Sequence, residues 1–250
     1  MSVFRSIFAL LAGVGLAACG PKPVDNVAKI AVATNFLETA KALEIQFETA
    51  SEHEIMLVAG STGKLYAQIA LGAPFHAFLS ADRDRPARLV DEGLATGQFT
   101  YAMGVLAAWS PDGDAVTGDL KERLQSGAFD RIAIANPDLA PYGAAAIQVL
   151  EELDALAATA GKRVRGENIG QAFAMTATGN ADIGFVALSS VIDYGEDTYW
   201  LAPRGLYAPI RQDAVLLRPE RAHPAAAAFL DYLQSDAARN VMAARGYQVP

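Results

Sequence analysis

The sequence predicts an α/β protein built as two lobes, on three observations. Short β-branched or apolar runs alternate with helical patterns along most of the chain, as in parallel or mixed sheets covered by helices. Two of the runs, over 101–109 and near 207–214, are placed so that the chain leaves one lobe and later returns to it, which makes a hinge. An apolar content of 52% over 250 residues, with few low-complexity stretches, provides for a packed core.

The elements follow in order. Lys29–Thr34 is the first strand, and Phe36, Leu37, Ala40, Leu43 and Phe47 recur behind it at helical spacing. Asn35 stands at the N-cap position with Glu38 three residues on, which predicts a variant capping box. Glu54–Ala59 is the second strand and Gly60-Ser61-Thr62-Gly63 a permissive turn. Leu65, Tyr66 and Ile69 then form the buried stripe of a helix stopped by Gly72. Phe75–Ser80 is a third strand, and Ala81-Asp82 turns into a short helix around Leu89 and Val90 that ends at Gly93.

Tyr101–Trp109 reads as one long strand crossing into the second lobe, where Ile132–Ala135, Asp182–Ala187 and Tyr199–Leu201 add strands and Ala144–Leu153 and Ile169–Ala177 add helices. After Tyr207 comes a strand over Asp213–Leu217, and helices over Ala225–Leu233 and Ala237–Ala244 rejoin the first lobe. The predicted division is therefore 28–108 with 213–250 for the first lobe and 109–212 for the second.

Ahead of these lies a leader. Arg5 precedes an apolar run from Ile7 to Leu16, as in a secretory signal over residues 1–18. The run is too short to span a bilayer, which takes roughly 20 residues. Leu16-Ala17-Ala18-Cys19-Gly20 resembles the bacterial lipoprotein processing box, and Cys19 is the only cysteine in the chain. That resemblance implies a lipid on Cys19, a tether over 19–27, and a periplasmic place in the bacterial cell envelope, anchored to membrane. With its cysteine so used, the mature chain has no disulfide and no cysteine metal site. Removing the leader takes away Arg5 and no acid, so the net charge of −8 becomes −9. Nucleic acid is an unsuitable partner for such a chain, and an anion must be held by local donors against the overall field.

Two places supply such donors. Ala33-Thr34-Asn35-Phe36-Leu37 and Gly60-Ser61-Thr62-Gly63 each set hydroxyl or amide side chains where a strand hands over to a helix. Unpaired N–H groups and the positive end of the helix dipole meet there. Thr34, Asn35, Ser61 and Thr62 are the candidate ligands. Each has a plainer role: Asn35 as a helix cap, Ser61 and Thr62 as partners within their own turn. Lys64 and Arg211 read as solvated charge, because a basic residue in a helix's first turn opposes the dipole. His53, His76 and His223 lack ligand spacing, which excludes a site for a free metal cation. Ser61 is the one fair nucleophile, but its setting is not the Gly-x-Ser-x-Gly elbow and no histidine is placed as its base. The chain reads as a binding protein, not an enzyme.

Several motifs in register carry a resemblance. Ala33-Thr34-Asn35-Phe36-Leu37, Gly60-Ser61-Thr62-Gly63, Tyr66-Ala67-Gln68-Ile69, Gly72-Ala73-Pro74 and Phe78-Leu79-Ser80-Ala81-Asp82 resemble the molybdate-binding proteins of bacterial ABC importers. So do Ile134-Ala135-Asn136-Pro137, Ala140-Pro141-Tyr142-Gly143, Gly184-Phe185-Val186-Ala187-Leu188 and Tyr207-Ala208-Pro209-Ile210. The resemblance implies a two-lobed periplasmic-binding-protein fold of type II, with mixed sheets and a two-segment hinge. It implies a clamp on a tetrahedral dianion, molybdate or tungstate, with Thr34, Asn35, Ser61 and Thr62 donating from one lobe. Tyr142 and Val186 would donate backbone N–H groups from the other, and Tyr207 is the nearest counterpart of a tyrosine that reaches the ligand in some members. Many members carry two serines where this chain has Thr34-Asn35. The implied protein is a monomer without cofactor that delivers its ligand to an ABC permease and its ATPase. A clamp for a sulfate-like oxyanion, or an oxyanion sensor outside transport, is the alternative. Neutral donors favour a fully ionised anion, and several charge-assisted bonds of ~1.5–3 kcal/mol each suffice for sub-micromolar binding.

Overall fold

A computed structural model describes residues 27–250 of the chain. The leader, Cys19 and the tether as far as Asn26 lie outside the described residues. In chain order the elements are β1 (Val27–Ala33), α1 (Leu37–Ala50), β2 (Glu54–Gly60), α2 (Thr62–Ala70), β3 (Ala77–Leu79), α3 (Asp84–Asp91), β4 (Ala95–Gly104) and β5 (Leu106–Trp109). Next come α4 (Leu120–Ser126), β6 (Ile132–Ala135), α5 (Pro141–Glu152), α6 (Leu156–Thr159), β7 (Arg163–Gly166), α7 (Ile169–Ala177) and β8 (Ile183–Ala187). The chain finishes with β9 (Tyr199–Leu201), β10 (Ile210–Leu217), α8 (Pro224–Leu233) and α9 (Asp236–Ala244).

Two five-stranded sheets share one plan. The first runs β2-β1-β3-β10-β4 and the second β7-β6-β8-β5-β9. In each, three parallel strands are followed by an antiparallel strand and then an edge strand antiparallel to that one. The fourth strands are the crossing segments: β5 carries the chain into the second sheet, and β10 brings it back to the first. The expected α/β class, with mixed sheets and a two-segment hinge, is what these residues form.

Side-chain alternation explains the layering of the first lobe. Ile30 and Val32 on β1 face α1, α8 and α9 through Leu43, Phe47, Phe229 and Met242, whereas Ala31, beside Phe78 of β3, faces α2 and α3 through Leu65, Ile69 and Leu89. In the second sheet Leu106 and Ala108 join the larger core with Tyr142, Leu150 and Phe185. Ala107 and Trp109 turn to a smaller cluster with Val186, Leu188 and Val191. Among the described residues, no helix is long and apolar enough to cross a membrane.

The structure differs from the sequence reading at the crossings. Tyr101–Trp109 is not one strand: pairing changes partner at Val105, so residues 106–108 belong to the second sheet and not to the first lobe as expected. On the return, β10 starts at Ile210, three residues before the expected Asp213. A register shift between Gln212 and Asp213 lets the strand bend and still pair with β4. The third strand contracts to Ala77–Leu79 because Phe75 donates its N–H to Ala73 within a turn. The edge strand β7 and the short helix α4 were not anticipated. Arg163-Val164-Arg165-Gly166 carries one apolar side chain, and α4 buries only Leu120 and Leu124.

Candidate anion-binding site

Four strand ends meet across the cleft. β1 ends in a 3-10 turn over Thr34–Phe36, β2 runs through Ser61 into α2, β6 leads by Ala140 into α5, and β7 leads by Asn168 into α7. All four are C-terminal ends of parallel strands, the rim at which open α/β sheets take ligands. They line one small cavity, formed by Ala33, Thr34, Asn35, Ser61, Thr62 and Ala81 from the first lobe. Ala140, Pro141, Tyr142 and Ile169 line it from the second.

The local structure frees donors at each end. Ser61 caps α2, its Oγ accepting from the Lys64 N–H at 3.4 Å, and Thr62 Oγ1 accepts from the Ala81 N–H at 3.2 Å. Both oxygens thus take a backbone donor from their own lobe, which leaves each hydroxyl proton for another acceptor. Thr62 is the first residue of α2, Tyr142 the second of α5 after Pro141, and Ile169 the first of α7, where Asn168 Oδ1 is held by the Gln171 N–H at 3.0 Å. Helix N–H groups at these positions have no partner within their own helix. Converging helix N-termini add positive potential. No Lys, Arg, Asp, Glu or His lines the cavity.

The lobes touch around it. The Gly63 N–H donates to the Leu139 carbonyl at 2.9 Å, and Arg85 Nη2 donates to the Asp138 carbonyl at 3.0 Å. Lys64 lies 2.6 Å from Glu167 at the exposed rim, where an ion pair adds little. A methyl group on Gly170 would sit 3.6 Å from Thr34 Cβ, which shows how closely α7 approaches the end of β1. A much larger groove alongside shares only Ala81 and Pro141 with the cavity, and its walls carry charged side chains of both signs, Asp82 and Asp84 with Arg83, Arg85 and Arg211, which the cavity lacks.

Of the residues singled out from sequence, Thr34, Asn35, Ser61, Thr62 and Tyr142 come together; Val186 and Tyr207 do not. Leu188 donates its N–H to the Val105 carbonyl at 2.9 Å, which fixes the phase of the β5–β8 ladder. Hydrogen-bonded pairs alternate in an antiparallel ladder, so the Val186 N–H faces Ala107 and its side chain is core. The Tyr207 hydroxyl accepts from the Leu106 N–H at 3.2 Å, beside a separate apolar pocket at the crossing. The residue missed is Ile169. Its signal was present in the Asn168 cap ahead of the apolar run of α7.

Asn35 also departs from expectation, for it does not cap α1. That helix starts at Leu37 without a side-chain cap, and Glu38 pairs instead with Lys41 at 2.7 Å on the surface. The Asn35 amide is buried and donates to Gln212 Oε1 at 2.8 Å, with Tyr247 Oη at 3.4 Å. Buried amides take buried partners, and these lie at the hinge. Asn35 lines the cavity with its side-chain N–H donors already turned to partners at the hinge. Lys64 and Arg211 keep outside the cavity, Arg211 donating from Nε to Thr100 Oγ1 at 2.6 Å. Among the described residues, no group of three or more His, Cys, Asp or Glu could hold a metal ion.

Three buried tyrosines gather here, Tyr101 and Tyr142 on Gln212 and Tyr247 on Asn35. Burial, and next the neighbouring Tyr247, pushes the Tyr101 and Tyr142 hydroxyls well above the usual tyrosine range. Burial also raises Tyr247, to about 12, against hydrogen bonds from Ser189, Asn35 and Thr39 that lower it. All three remain donors at any physiological pH. An unfolded tyrosine ionises near pH 10, so this contribution to stability is whole below pH 10 and is lost as pH rises toward 12 and beyond. The loss is roughly 1.4 kcal/mol per pH unit for each tyrosine still protonated in the fold. Denaturant melts across this range, with tyrosinate absorbance, should show ionisation arriving together with unfolding. Titration of all eight tyrosines near pH 10 in folded protein would refute the burial argument.

The model of the bacterial extracellular solute-binding protein family matches residues 28–248. The chain belongs to this family. It is 45% identical over 251 residues to the molybdate-binding protein ModA of Azotobacter vinelandii, covering 98% of each chain. It is 43% identical over 219 residues to ModA of Rhodobacter capsulatus, covering 87% of this chain and 86% of that one. Among solved structures, the periplasmic molybdate-binding protein of Azotobacter vinelandii superposes with a TM-score of 0.84 at 36% identity, over 89% of this chain and 99% of that chain. Membership of a solute-binding family agrees with reading the site as a binding site and not a catalytic one.

Proposed function

We propose that this solute-binding protein is the receptor of an ABC importer and captures molybdate or tungstate between its lobes. The carrying observation is the convergence of four strand-to-helix ends, two from each lobe, on one small cavity without a charged side chain. Hydroxyl and N–H donors suit an oxyanion that is fully ionised. A protonated oxyanion such as phosphate near neutral pH brings an O–H that no lining carboxylate can accept. The names of the relatives at 43–45% identity support the choice of ligand. Because the donors come from both lobes, the anion binds fully only when the cleft is closed, and it thereby favours the closed state that a permease would receive. The protein works as a monomer on the periplasmic side, held to membrane through a lipid on Cys19, with a permease and its ATPase as partners.

Calorimetry with molybdate, tungstate, sulfate and phosphate tests this reading. Sub-micromolar binding of the first two, with sulfate and phosphate at least 100-fold weaker, is the expected result; equal or absent binding of all four would refute it. A Cys19→Ser chain should lose its hold on membrane.

A further inference from the structure

The turn that carries Thr34 and Asn35 is held by groups far from it in sequence. Tyr247, near the C-terminus, donates from its hydroxyl to the Asn35 carbonyl at 2.6 Å. Ser189, in a 3-10 turn just after β8, donates from Oγ to the same carbonyl at 3.1 Å and lies 2.9 Å from the Tyr247 hydroxyl. Tyr247 and Asn35 belong to the first lobe, whereas Ser189 belongs to the second. We infer that Tyr247 and Ser189 are positioning residues for the anion site: together they fix the Asn35 peptide when the lobes meet, so that closure itself aims the donors of the β1 end at the ligand.

Three further observations bear on this. The Asn35 amide is fixed on its other side by Gln212 Oε1, which also accepts from the Tyr101 hydroxyl at 3.1 Å, so the residue is held at carbonyl and side chain alike. Phe36 is wedged edge-on between the Tyr101 and Tyr247 rings at 4.7 and 5.3 Å, which leaves the turn little freedom. The C-terminal segment is itself pinned to the crossing, Met103 and Gln248 exchanging N–H···O bonds of 2.7 and 3.1 Å. Tyr247 is therefore a fixed post on the hinge side of the first lobe, and Ser189 reaches the same carbonyl from the second lobe, one residue after Leu188, which bonds to Val105 at the crossing. Burial keeps the Tyr247 proton on its oxygen, so the bond does not vary across physiological pH.

This inference rests on the proposed function and deepens it. The test uses the full chain with Tyr247→Phe, Ser189→Ala and both together, measured by calorimetry with molybdate and by stopped-flow dissociation. Each single variant should bind roughly fivefold to tenfold more weakly, mostly through faster release. The double variant should fall short of the product of the two, since both hydroxyls serve one carbonyl. The thermal midpoint of ligand-free Ser189→Ala should match the unaltered chain, a result that separates positioning from folding. Tyr232→Phe, whose hydroxyl meets Gln46 on the surface at 2.9 Å, is the control and should bind normally. Single variants within twofold of an unaltered chain that binds molybdate would overturn the inference alone. An unaltered chain that binds neither molybdate nor tungstate would overturn the proposed function and this inference with it.

Discussion

Replacing Ile169 by proline is expected to weaken molybdate binding by about 10- to 100-fold while the fold survives. Ile169 is the first residue of α7, the position where proline is best tolerated, because the N–H it removes has no partner within the helix. Asn168 is already extended, at φ −148° and ψ 172°, as the residue before a proline must be. The substitution therefore deletes one backbone donor at the cavity and leaves the Asn168 cap on Gln171 intact. A charge-assisted bond contributes about 1.5–3 kcal/mol, and each 1.4 kcal/mol is tenfold in affinity. Ile169 is also buried, so trimming its side chain costs about 1 kcal/mol of stability on its own account. Ile169→Val trims the side chain and keeps the N–H, and it should bind nearly as the unaltered chain does. Calorimetry on the pair isolates the donor. Equal affinity of the proline and valine variants would remove Ile169 from the site.

The contrast between Ile169 and Val186 shows which parts of the site the sequence displays. Handovers such as Thr34-Asn35 and Ser61-Thr62 are local events, marked by hydroxyl or amide residues between an apolar run and a helical pattern, and both are found where expected. The α7 start was equally visible. What no local pattern states is which handovers face one another, because that depends on strand order: β7 lies at the sheet edge beyond β6, and its Arg-Val-Arg-Gly run gives little strand signal. Val186 sits in a motif as apolar as any in the chain, yet the ladder phase that turns its N–H to Ala107 is a property of the pair and not of the strand. The division at Val105 was hidden for a similar reason. Tyr101–Trp109 is continuously compatible with a strand, and only the change of partner splits it. The network around Gln212 joins residues up to 212 positions apart, a separation over which periodicity carries no information.

Gly143→Ala should cost both stability and affinity, because the glycine is where α5 rests directly on the end of β6. A methyl group there would collide with the Ala135 carbonyl oxygen, and would lie 2.8 Å from the Ala135 carbonyl carbon and 3.0 Å from that of Asn136. These are backbone atoms at the end of β6, a strand buried along its whole length, so no side-chain rotation relieves them. The first turn of α5 must move outward instead. Alanine's better helix propensity returns about 1 kcal/mol against glycine, whereas overpacking costs about 1–3 kcal/mol and falls at the upper end when the obstacle is main chain. Repulsion wins, and a net loss near 2 kcal/mol lowers the thermal midpoint by about 4–8 °C. The same displacement carries the Tyr142 N–H off the cavity and its hydroxyl away from Gln212 Nε2, already 3.5 Å distant, so molybdate affinity should fall more than tenfold. Gly161→Ala provides the comparison, since a methyl group there meets nothing within 4 Å. Thermal melts and calorimetry on the two variants should separate cleanly; a Gly143→Ala protein that melts and binds like Gly161→Ala would show that α5 is free to yield and that Tyr142 is not held by this contact.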